Sequence, residues 1–345
     1  MKKLFSRLIS SVLITSVVVG ALASCTKDGG NSTDNTDTKE ADYHAALVMI
    51  EEGKYENAYA ALLALGDYKD AKKRLDRFIY YPTEISYDLF DRTGVMNVTL
   101  GELNLPTRIV SVGDVGTKDG VYTYDSEGRI LRQSVTHNGK TMRYDYTYDE
   151  NDRIIKAEYS EDGVVSIVHD FTIDEKGRLV RELYTVENVV QYDGNNFYDE
   201  NGNVIKRVAM QNGVDCVYTY THDADGRITN EKCESSDGND YNIDFFYDEA
   251  GMLVKEIYTD AENEVTTFYT YDDSGNRVKD ESIYRDGTRN VIARAYDAHG
   301  NVTREVYTYS DGVIETIERK FTLAYISIDV PEDTMSQIDL FLTIK

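Results

Sequence analysis

A short motif that recurs along most of the chain constrains its fold more than any other feature. The motif is Tyr-Asp, two further residues, a Gly and then Arg or Asn, and it first occurs as Tyr124-Asp125 with Gly128-Arg129. An aspartate accepts hydrogen bonds from backbone amides two residues further on, and a glycine supplies the positive φ that ends a type I turn with a bulge. Each copy therefore predicts a β-hairpin turn. The motif aspartates recur at intervals of 24 or 25 residues, at Asp125, Asp149, Asp174, Asp199, Asp223, Asp248, Asp272 and Asp297.

A second set of turn signals lies between the copies. These are Asp-Gly and Asn-Gly pairs, which are strong short-range signals for a hairpin. Turns therefore alternate about every 12 residues, which predicts a mainly β fold: a long antiparallel meander of about 16 strands, each about six to eight residues long. The pairs are Asp119-Gly120, Asn138-Gly139, Asp162-Gly163, Asn212-Gly213, Asp237-Gly238, Asp286-Gly287 and Asp311-Gly312.

These eight copies resemble the YD repeat of the Rhs/YD-repeat family, over about residues 119–325. The resemblance implies a strip of hairpins that curls into a shell, on a protein associated with cell surfaces, carbohydrate binding or toxin delivery. The chain departs from the family in its size, in its slightly longer period and in its end. Residues 326–345 hold apolar segments, which predict capping strands and no appended catalytic domain. Toxin delivery is therefore set aside.

The strand that follows each motif predicts how the sheet is faced. Its fourth residue after the Gly is usually basic and the fifth is often acidic, as in Arg181-Glu182 and Lys255-Glu256. Adjacent strand residues point to opposite faces, so neither face is purely apolar. We expect a strongly twisted, partly curled sheet with tyrosines and aliphatic residues on its concave side, and with salt bridges and tyrosine ladders on its outer side. The sequence leaves open whether the sheet closes.

The first residues predict export and a lipid anchor. Lys2, Lys3 and Arg7 precede an apolar stretch of signal-peptide length over residues 8–22. The following Leu22-Ala23-Ser24-Cys25 resembles a bacterial lipobox, which implies cleavage before Cys25 and acylation of that cysteine. The alternative is an ordinary signal peptide with an unrelated cysteine. In the first case the protein is held by lipid outside the cytoplasm, facing the cell surface or the periplasm.

The region between the anchor and the repeats divides into three parts. Residues 25–40 contain no apolar side chain after Cys25, and this predicts a flexible linker. Residues 41–78 show helical periodicity and predict three short helices, at about 40–52, 55–65 and 68–78. Two segments starting at Gly53 and Gly66 resemble tetratricopeptide-type helix starts over about one repeat. That length leaves two alternatives, a peptide-binding groove or a cap for the β-domain. Residues 79–118 predict irregular opening strands.

Composition and motifs narrow the classes of function. The formal net charge is −25, with 62 acidic against 37 basic residues, so we expect no nucleic acid partner. The sequence contains no zinc-protease, nucleophile-elbow, phosphate-loop or dinucleotide motif, and we predict neither an enzyme nor a cofactor. Asp-rich turns such as Asp223–Gly226 lack the bidentate glutamate of a calcium loop, so no metal site is predicted.

Two groups of side chains are candidates for function. Cys216 and Cys233 flank one motif turn, and a tight register would place them opposite each other, as a disulfide requires. The bulged register that we favour, with Asp223 opposite Arg227, sends them to opposite faces. The repeat tyrosines could stack on sugar rings, and their alternative role is core packing. They are Tyr124, Tyr148, Tyr198, Tyr247, Tyr271 and Tyr296.

These observations support three hypotheses. The first is a binding or scaffold lipoprotein that presents tyrosine-rich grooves to a glycan, another cell-envelope polymer or an envelope protein. The second is a structural or assembly role, in which the helices of 41–78 dock a protein partner. The third, an envelope hydrolase, has no motif to support it.

Overall fold

The computed structural model describes residues 35–89, 92–114 and 116–326, and the described residues from Asp37 onward belong to one compact unit. Cys25, the signal-peptide boundary and the capping strands expected after residue 326 lie outside the described residues. The described part contains three helices, α1 Asn35–Glu51, α2 Tyr55–Leu65 and α3 Ala71–Leu75. Helix α1 thus begins inside the segment expected to be a linker, and α3 is shorter than expected. None of the helices in the described ranges has the length and apolar character needed to cross a membrane.

The rest of the described chain forms 20 strands, each antiparallel to its neighbours. The segment expected to hold irregular opening strands instead contributes regular strands of the same sheet. The first ten strands are β1 Phe78–Leu89, β2 Arg92–Leu100, β3 Pro106–Gly113, β4 Gly116–Tyr124, β5 Ile130–His137, β6 Lys140–Tyr148, β7 Ile154–Glu161, β8 Val164–Ile173, β9 Leu179–Val186 and β10 Val189–Tyr198. The other ten are β11 Val204–Gln211, β12 Val214–His222, β13 Ile228–Ser235, β14 Tyr241–Tyr247, β15 Leu253–Asp260, β16 Glu264–Tyr271, β17 Arg277–Tyr284, β18 Arg289–Tyr296, β19 Val302–Thr308 and β20 Ile314–Tyr325.

The sheet closes on itself. Every strand pairs with the next one in sequence, and β1 also pairs with β20 from Phe78 opposite Tyr325 to Asp88 opposite Thr316. The mainly β prediction is confirmed, and the sheet, whose closure the sequence left open, is a closed barrel rather than the twisted, partly curled meander that was expected. Closure removes the two unpaired edges that an open strip would expose.

The motif turns form as the sequence predicts. At the first copy, Asp125 Oδ1 accepts hydrogen bonds from the backbone N–H of Glu127 and of Arg129 at 3.0 and 2.9 Å. Gly128 has a φ of +82°, the left-handed conformation that a glycine adopts without strain. One extra residue then enters the following strand, as a register shift at Thr123/Tyr124. The same shift occurs in all eight motif hairpins.

The Asn-Gly and Asp-Gly pairs form turns as predicted, except for Asp119-Gly120. Asn138 and Gly139 both have positive φ, as a two-residue hairpin of the primed type requires. Asp119-Gly120 was expected to be a turn, but it lies in the middle of β4, opposite Val110 and Ile109 of β3. Gly120 is buried there, and a Cβ at this position would lie 3.4 Å from the carbonyl oxygen of Ile109 and 3.6 Å from the ring of Tyr122.

The two faces of the sheet differ in burial. In β4, Gly120 and Tyr122 are buried, whereas Val121 between them is 45% exposed. A closed sheet crowds the side chains on its concave side, so the buried alternate residues identify the inward face, and cross-strand partners extend that assignment round the barrel. The buried core on this face is concentrated in the first strands and the last one, and it includes Tyr81, Ile85, Tyr87, Val98, Ile109, Tyr122, Ile130, Tyr146, Ile154 and Ile317.

The helices pack where β1 begins and β20 ends. Leu62 and Leu65 of α2 are buried in a small cluster with Tyr43 of α1. The ring of Phe78 meets that of Tyr325 edge-to-face at 4.8 Å, and Tyr55 Oη accepts a hydrogen bond from Asn104 Nδ2 at 2.9 Å. The helical segment therefore covers one end of the barrel seam.

Candidate functional site

A cavity on the inward face of the first strands is the candidate binding site. Its volume is about 280 Å³, and its walls come from β1 to β7. Its lining combines aromatic rings, aliphatic and methionine side chains and a few polar groups. The lining residues are Tyr87, Arg92, Met96, Ile109, Ser111, Lys118, Gly120, Tyr122, Gln133, Val135, Met142, Tyr144 and Tyr159.

Gln133 is the unusual polar group of this cavity. The residue is only 2% exposed, and its Nε2 donates a hydrogen bond to Tyr122 Oη at 3.2 Å. Its Oε1 is buried and has no hydrogen-bond partner among the described residues. A buried amide oxygen that accepts no hydrogen bond costs about 1–3 kcal/mol. The amide is therefore poised to accept a hydrogen bond from a group that enters the cavity and shifts the side chains around it.

The aromatic wall of the cavity is built from paired rings. Tyr144 and Tyr159 face each other across β6 and β7 with ring centroids 5.0 Å apart. Tyr87 Oη and Ser111 Oγ lie 3.3 Å apart on the opposite side. Burial raises the pKa of Tyr122 and of Tyr144, so both hydroxyls are neutral at physiological pH. The wall thus offers ring faces together with neutral hydroxyl groups.

The position of Gln133 in the repeat shows how the interior changes round the barrel. The equivalent inward residue of the next copy is Ala157, and in the later copies it is ionisable. The first strands therefore line an uncharged stretch of this row, and the later strands line a charged one. The ionisable members of the row are Glu182, Arg207, Glu231, Glu256, Asp280 and Glu305.

The charged half of the interior is an ion-pair network. Arg294 Nη2 lies 2.8 Å from Asp280 Oδ2, and Arg294 Nε lies 3.1 Å from Glu305 Oε1. Arg319 Nη2 continues the chain at 2.7 Å from Glu305 Oε2. Salt bridges were expected on the outer side, and outward pairs such as Arg181–Asp193 are present, but this network faces inward because the acidic position of the repeat is inward.

Two acids of the same row, Glu231 and Glu256, form no ion pair with any described residue. Tyr241 Oη donates to Glu231 Oε1 at 2.6 Å, and Tyr269 donates to Glu256. Burial raises the pKa of both carboxyls above the ordinary range of a glutamate, and the tyrosine hydrogen bonds only partly oppose it. Ionisation of these two carboxyls therefore lowers the stability of the folded state.

The six candidate tyrosines are inward and half-buried, and they are tied into the repeat. Each hydroxyl donates to a backbone carbonyl 18 or 19 residues earlier in the chain, as Tyr148 does to Ile130 at 2.8 Å. This contact joins one hairpin to the hairpin before it. Ligand contact through these rings stays a prediction, and packing accounts for their hydroxyls. The other hydroxyl contacts are Tyr124 to Pro106, Tyr198 to Leu179, Tyr247 to Ile228, Tyr271 to Leu253 and Tyr296 to Arg277.

Cys216 and Cys233 are both buried, inward and free. The expectation that they point to opposite faces is wrong, because the register shift between Thr221 and His222 adds a second extra residue to the hairpin. Cys216 then lies opposite Ser235, and Cys233 opposite Tyr218. The thiols are diagonal neighbours rather than a direct pair, and no disulfide joins them. Burial raises the pKa of Cys233 to about 12, which keeps its thiol neutral.

Other surfaces of the described part are less suited to binding. A groove of about 330 Å³ on the outer face is lined mainly by β1, β19 and β20. Its charged groups already pair with each other, as Arg304 does with Glu318 at 3.2 Å. Within the described ranges no group of three or more His, Cys, Asp or Glu residues could hold a metal ion.

Sequence reasoning missed the residues that line the cavity. Gln133 lies in the first copy of the repeat and Lys118 lies before it, so neither position belongs to the pattern that the later copies share. A signal was present for Gln133, since a neutral amide stands where later copies carry an acid. Lys118 precedes the first motif, so comparison between copies could not reveal it.

Comparisons with known proteins give little further constraint. No family model matches the chain, and no curated protein matches it. Among solved structures, the chain is similar to a porin-like protein from Bacteroides uniformis, with a TM-score of 0.32 and 12% identity over 70% of this chain and 98% of that one. It is also similar to a porin-like protein from Bacteroides vulgatus, with a TM-score of 0.29 and 10% identity over 71% of this chain and 99% of that one. Scores this low do not assign a function.

Proposed function

We propose that this chain is a lipid-anchored binding protein outside the cytoplasm, and that its barrel takes a glycan fragment into the cavity of β1 to β7. The anchor is Cys25, and the proposal for it rests on the sequence of residues 22–25. The resemblance of the repeat to the YD family favours the same setting. The binding role rests on the cavity.

The observation that carries the binding role is the buried, unpartnered Oε1 of Gln133 beside tyrosine rings. Sugars present hydroxyl donors at their edges and C–H groups on their ring faces. Tyrosine rings stack on such faces with little loss of side-chain entropy. A cavity of about 280 Å³ is just below the range of about 300–1,000 Å³ that is usual for small-molecule sites, which suits a ligand as small as one or two sugar rings.

The helical segment fits the cap alternative better than the peptide-groove alternative. Its large apolar residues Leu62 and Leu65 are buried within the segment, and Tyr59 packs on Phe78 at the start of β1. Leu63 is 57% exposed, and an exposed leucine could contact a protein partner. Docking of such a partner is therefore the second candidate function.

A glycan array followed by calorimetric titration of the intact protein tests the binding role. We expect binding of at least one envelope glycan, and about tenfold weaker binding by Gln133→Leu, because that change removes the acceptor for a ligand hydroxyl. The matched control is Gln211→Leu, another inward glutamine that lies outside the cavity, opposite Tyr192. Absence of glycan binding, or equal binding by wild type and Gln133→Leu, would contradict the proposal.

A further inference from the structure

The cavity differs in charge from the rest of the molecule. The chain carries a formal net charge of −25, with 62 acidic residues against 37 basic ones. The described residues that line the cavity include two cations, Arg92 and Lys118, and none with a carboxylate. An acidic protein that keeps carboxylates out of one cavity makes that cavity favourable for an anion relative to its surroundings.

Lys118 is the cation that a ligand can reach. It lies in β4 on the inward face, opposite Ser111 of β3 and His137 of β5, and its side chain is exposed at the end of the cavity. It forms no ion pair with any described residue. Other strand lysines of the barrel do form them, for example Lys156 with Glu158 at 2.8 Å and Lys279 with Glu281 at 3.0 Å.

The acids near Lys118 in the chain and on neighbouring strands are occupied elsewhere. Asp119 points outward and pairs with Arg108 Nη2 at 2.7 Å. Glu161, which ends β7 on the inward side opposite Met142, is paired with Lys140. None of these acids therefore pairs with the ammonium group of Lys118, which is available to a group that enters the cavity.

The cavity also sets an order of contacts from its inner part to its opening. Gln133 is 2% exposed and lies at the inner part with Tyr122, whereas Lys118 is exposed. Gly120 and Val135 lie between the levels of Lys118 and Gln133, and the rings of Tyr144 and Tyr159 lie on the two strands beyond Gln133. A ligand that fits this order has a negative charge at one end for Lys118, a hydroxyl donor in the middle for Gln133 and an apolar face at the other end for Tyr144 and Tyr159.

We propose that the cavity binds a sugar that carries a carboxylate, with its hydroxyls at Gln133, its ring on the tyrosine wall and its carboxylate at Lys118. This inference rests on the proposed function and specifies the class of glycan. The carboxylate accepts a charge-assisted hydrogen bond from Lys118 Nζ, and Arg92 contributes positive potential from β2.

The test compares two disaccharides that differ only in one group, glucuronic acid against glucose at the same position, by titration calorimetry on the intact protein. We expect the acidic disaccharide to bind about tenfold more tightly at 50 mM salt, because a hydrogen bond to a charged group contributes more than a neutral one. The difference should shrink at about 0.5 M salt, since ions screen an exposed charge. Equal affinity for the two sugars at low salt would overturn the inference and leave the proposed function standing, whereas failure of both to bind would overturn both.

Variants of Lys118 identify the group responsible. Lys118→Gln should remove the preference for the acidic sugar while it leaves the neutral sugar's affinity unchanged, and Lys118→Arg should keep the preference. The matched control, Lys206→Gln, removes an exposed lysine on the outer face of β11 and should behave as wild type. A Lys118→Gln protein that retains the preference, or that loses both sugars equally, would overturn the assignment of the carboxylate to Lys118.

Discussion

At the scale of single residues, the barrel interior contains two kinds of acidic side chain. Some, such as Asp280 and Glu305, are neutralised by arginines. Others, such as Glu256, form no ion pair with a described residue and accept a hydrogen bond from a tyrosine hydroxyl. Burial of an ionised carboxylate without a full counter-charge costs free energy, and this cost appears as a raised pKa.

Glu256 gives a prediction with a defined sign. Its pKa in the folded state is raised above the unfolded value by burial. The ionised form is therefore disfavoured in the folded state, so the penalty is largest at neutral pH and disappears as the pH falls below the unfolded pKa. We expect Glu256→Gln to raise the free energy of unfolding at pH 7 by an amount on the order of 1 kcal/mol, and by much less at pH 4. Urea denaturation at both pH values measures the difference.

Glu281 on the outer face of the same region is the control for that experiment. Its hydrogen bond from Lys279 lowers its pKa, so the ionised form contributes stability above the unfolded pKa, and this contribution is lost as the pH falls through the folded pKa. Glu281→Gln should therefore lower the urea midpoint at pH 7, the opposite sign to Glu256→Gln. The same sign for both variants would refute the burial argument.

At the scale of the element, the repeating unit is a hairpin that is tied to the hairpin before it. The turn depends on an aspartate and a glycine, and the tie is a tyrosine hydroxyl that reaches a backbone carbonyl of the preceding copy, as Tyr271 reaches Leu253 at 2.9 Å. The tyrosine of the motif therefore has a structural role between copies as well as within its own strand.

Removal of one tie should weaken the barrel by a measurable amount. Tyr271→Phe keeps the ring and loses the hydrogen bond, and we expect it to lower the free energy of unfolding by about 1 kcal/mol. Tyr184→Phe is the control, because the Tyr184 hydroxyl makes no hydrogen bond to another described residue while its ring packs on His169 at 4.6 Å. Urea midpoints for the two variants should differ, and identical values would show that the tie contributes nothing.

Much of the element scale could be predicted from the sequence, because the signals are local. The turn at Asp125–Gly128 needs only its own residues, and the same holds for the two-residue turn at Asn138-Gly139. Asp119-Gly120 shows the limit of that reasoning. The same dipeptide there has a buried glycine inside a strand, because the fit of β3 against β4 outweighs a local turn preference.

At the scale of the whole molecule, the decisive contact joins strands that are far apart in sequence. Glu84 of β1 lies opposite Lys320 of β20, and their side chains pair at 2.5 Å. No local motif specifies that pairing, and the strands that make it lie at the margins of the repeat region. The sequence therefore predicted the strands and turns but left closure open. The cavity could not be predicted either, since its walls meet only where the sheet curves.

A cross-link across this seam tests closure. In a background of Cys216→Ser and Cys233→Ser, we expect Glu84→Cys with Lys320→Cys to form an intramolecular disulfide, because antiparallel Cα partners lie about 4.5–5.5 Å apart. Non-reducing mass spectrometry of proteolytic peptides would detect it.

The control for the seam pairs Glu84→Cys with Lys206→Cys. Lys206 is in β11, ten strands from β1 in either direction round the ring of 20, so no cross-link should form within the chain. A disulfide in the control, or none at the seam, would contradict a closed ring.

The seam also has a consequence for how the chain reaches its native state. Each hairpin can form as soon as its own residues emerge, but β1 must wait for β20, which follows it by more than 200 residues. Until then the growing sheet has a free edge on each side that can capture a strand from a neighbouring copy. The slow step of folding is therefore the final meeting of the two ends of the sheet, and crowded, simultaneous synthesis of many copies would favour misassembly over closure.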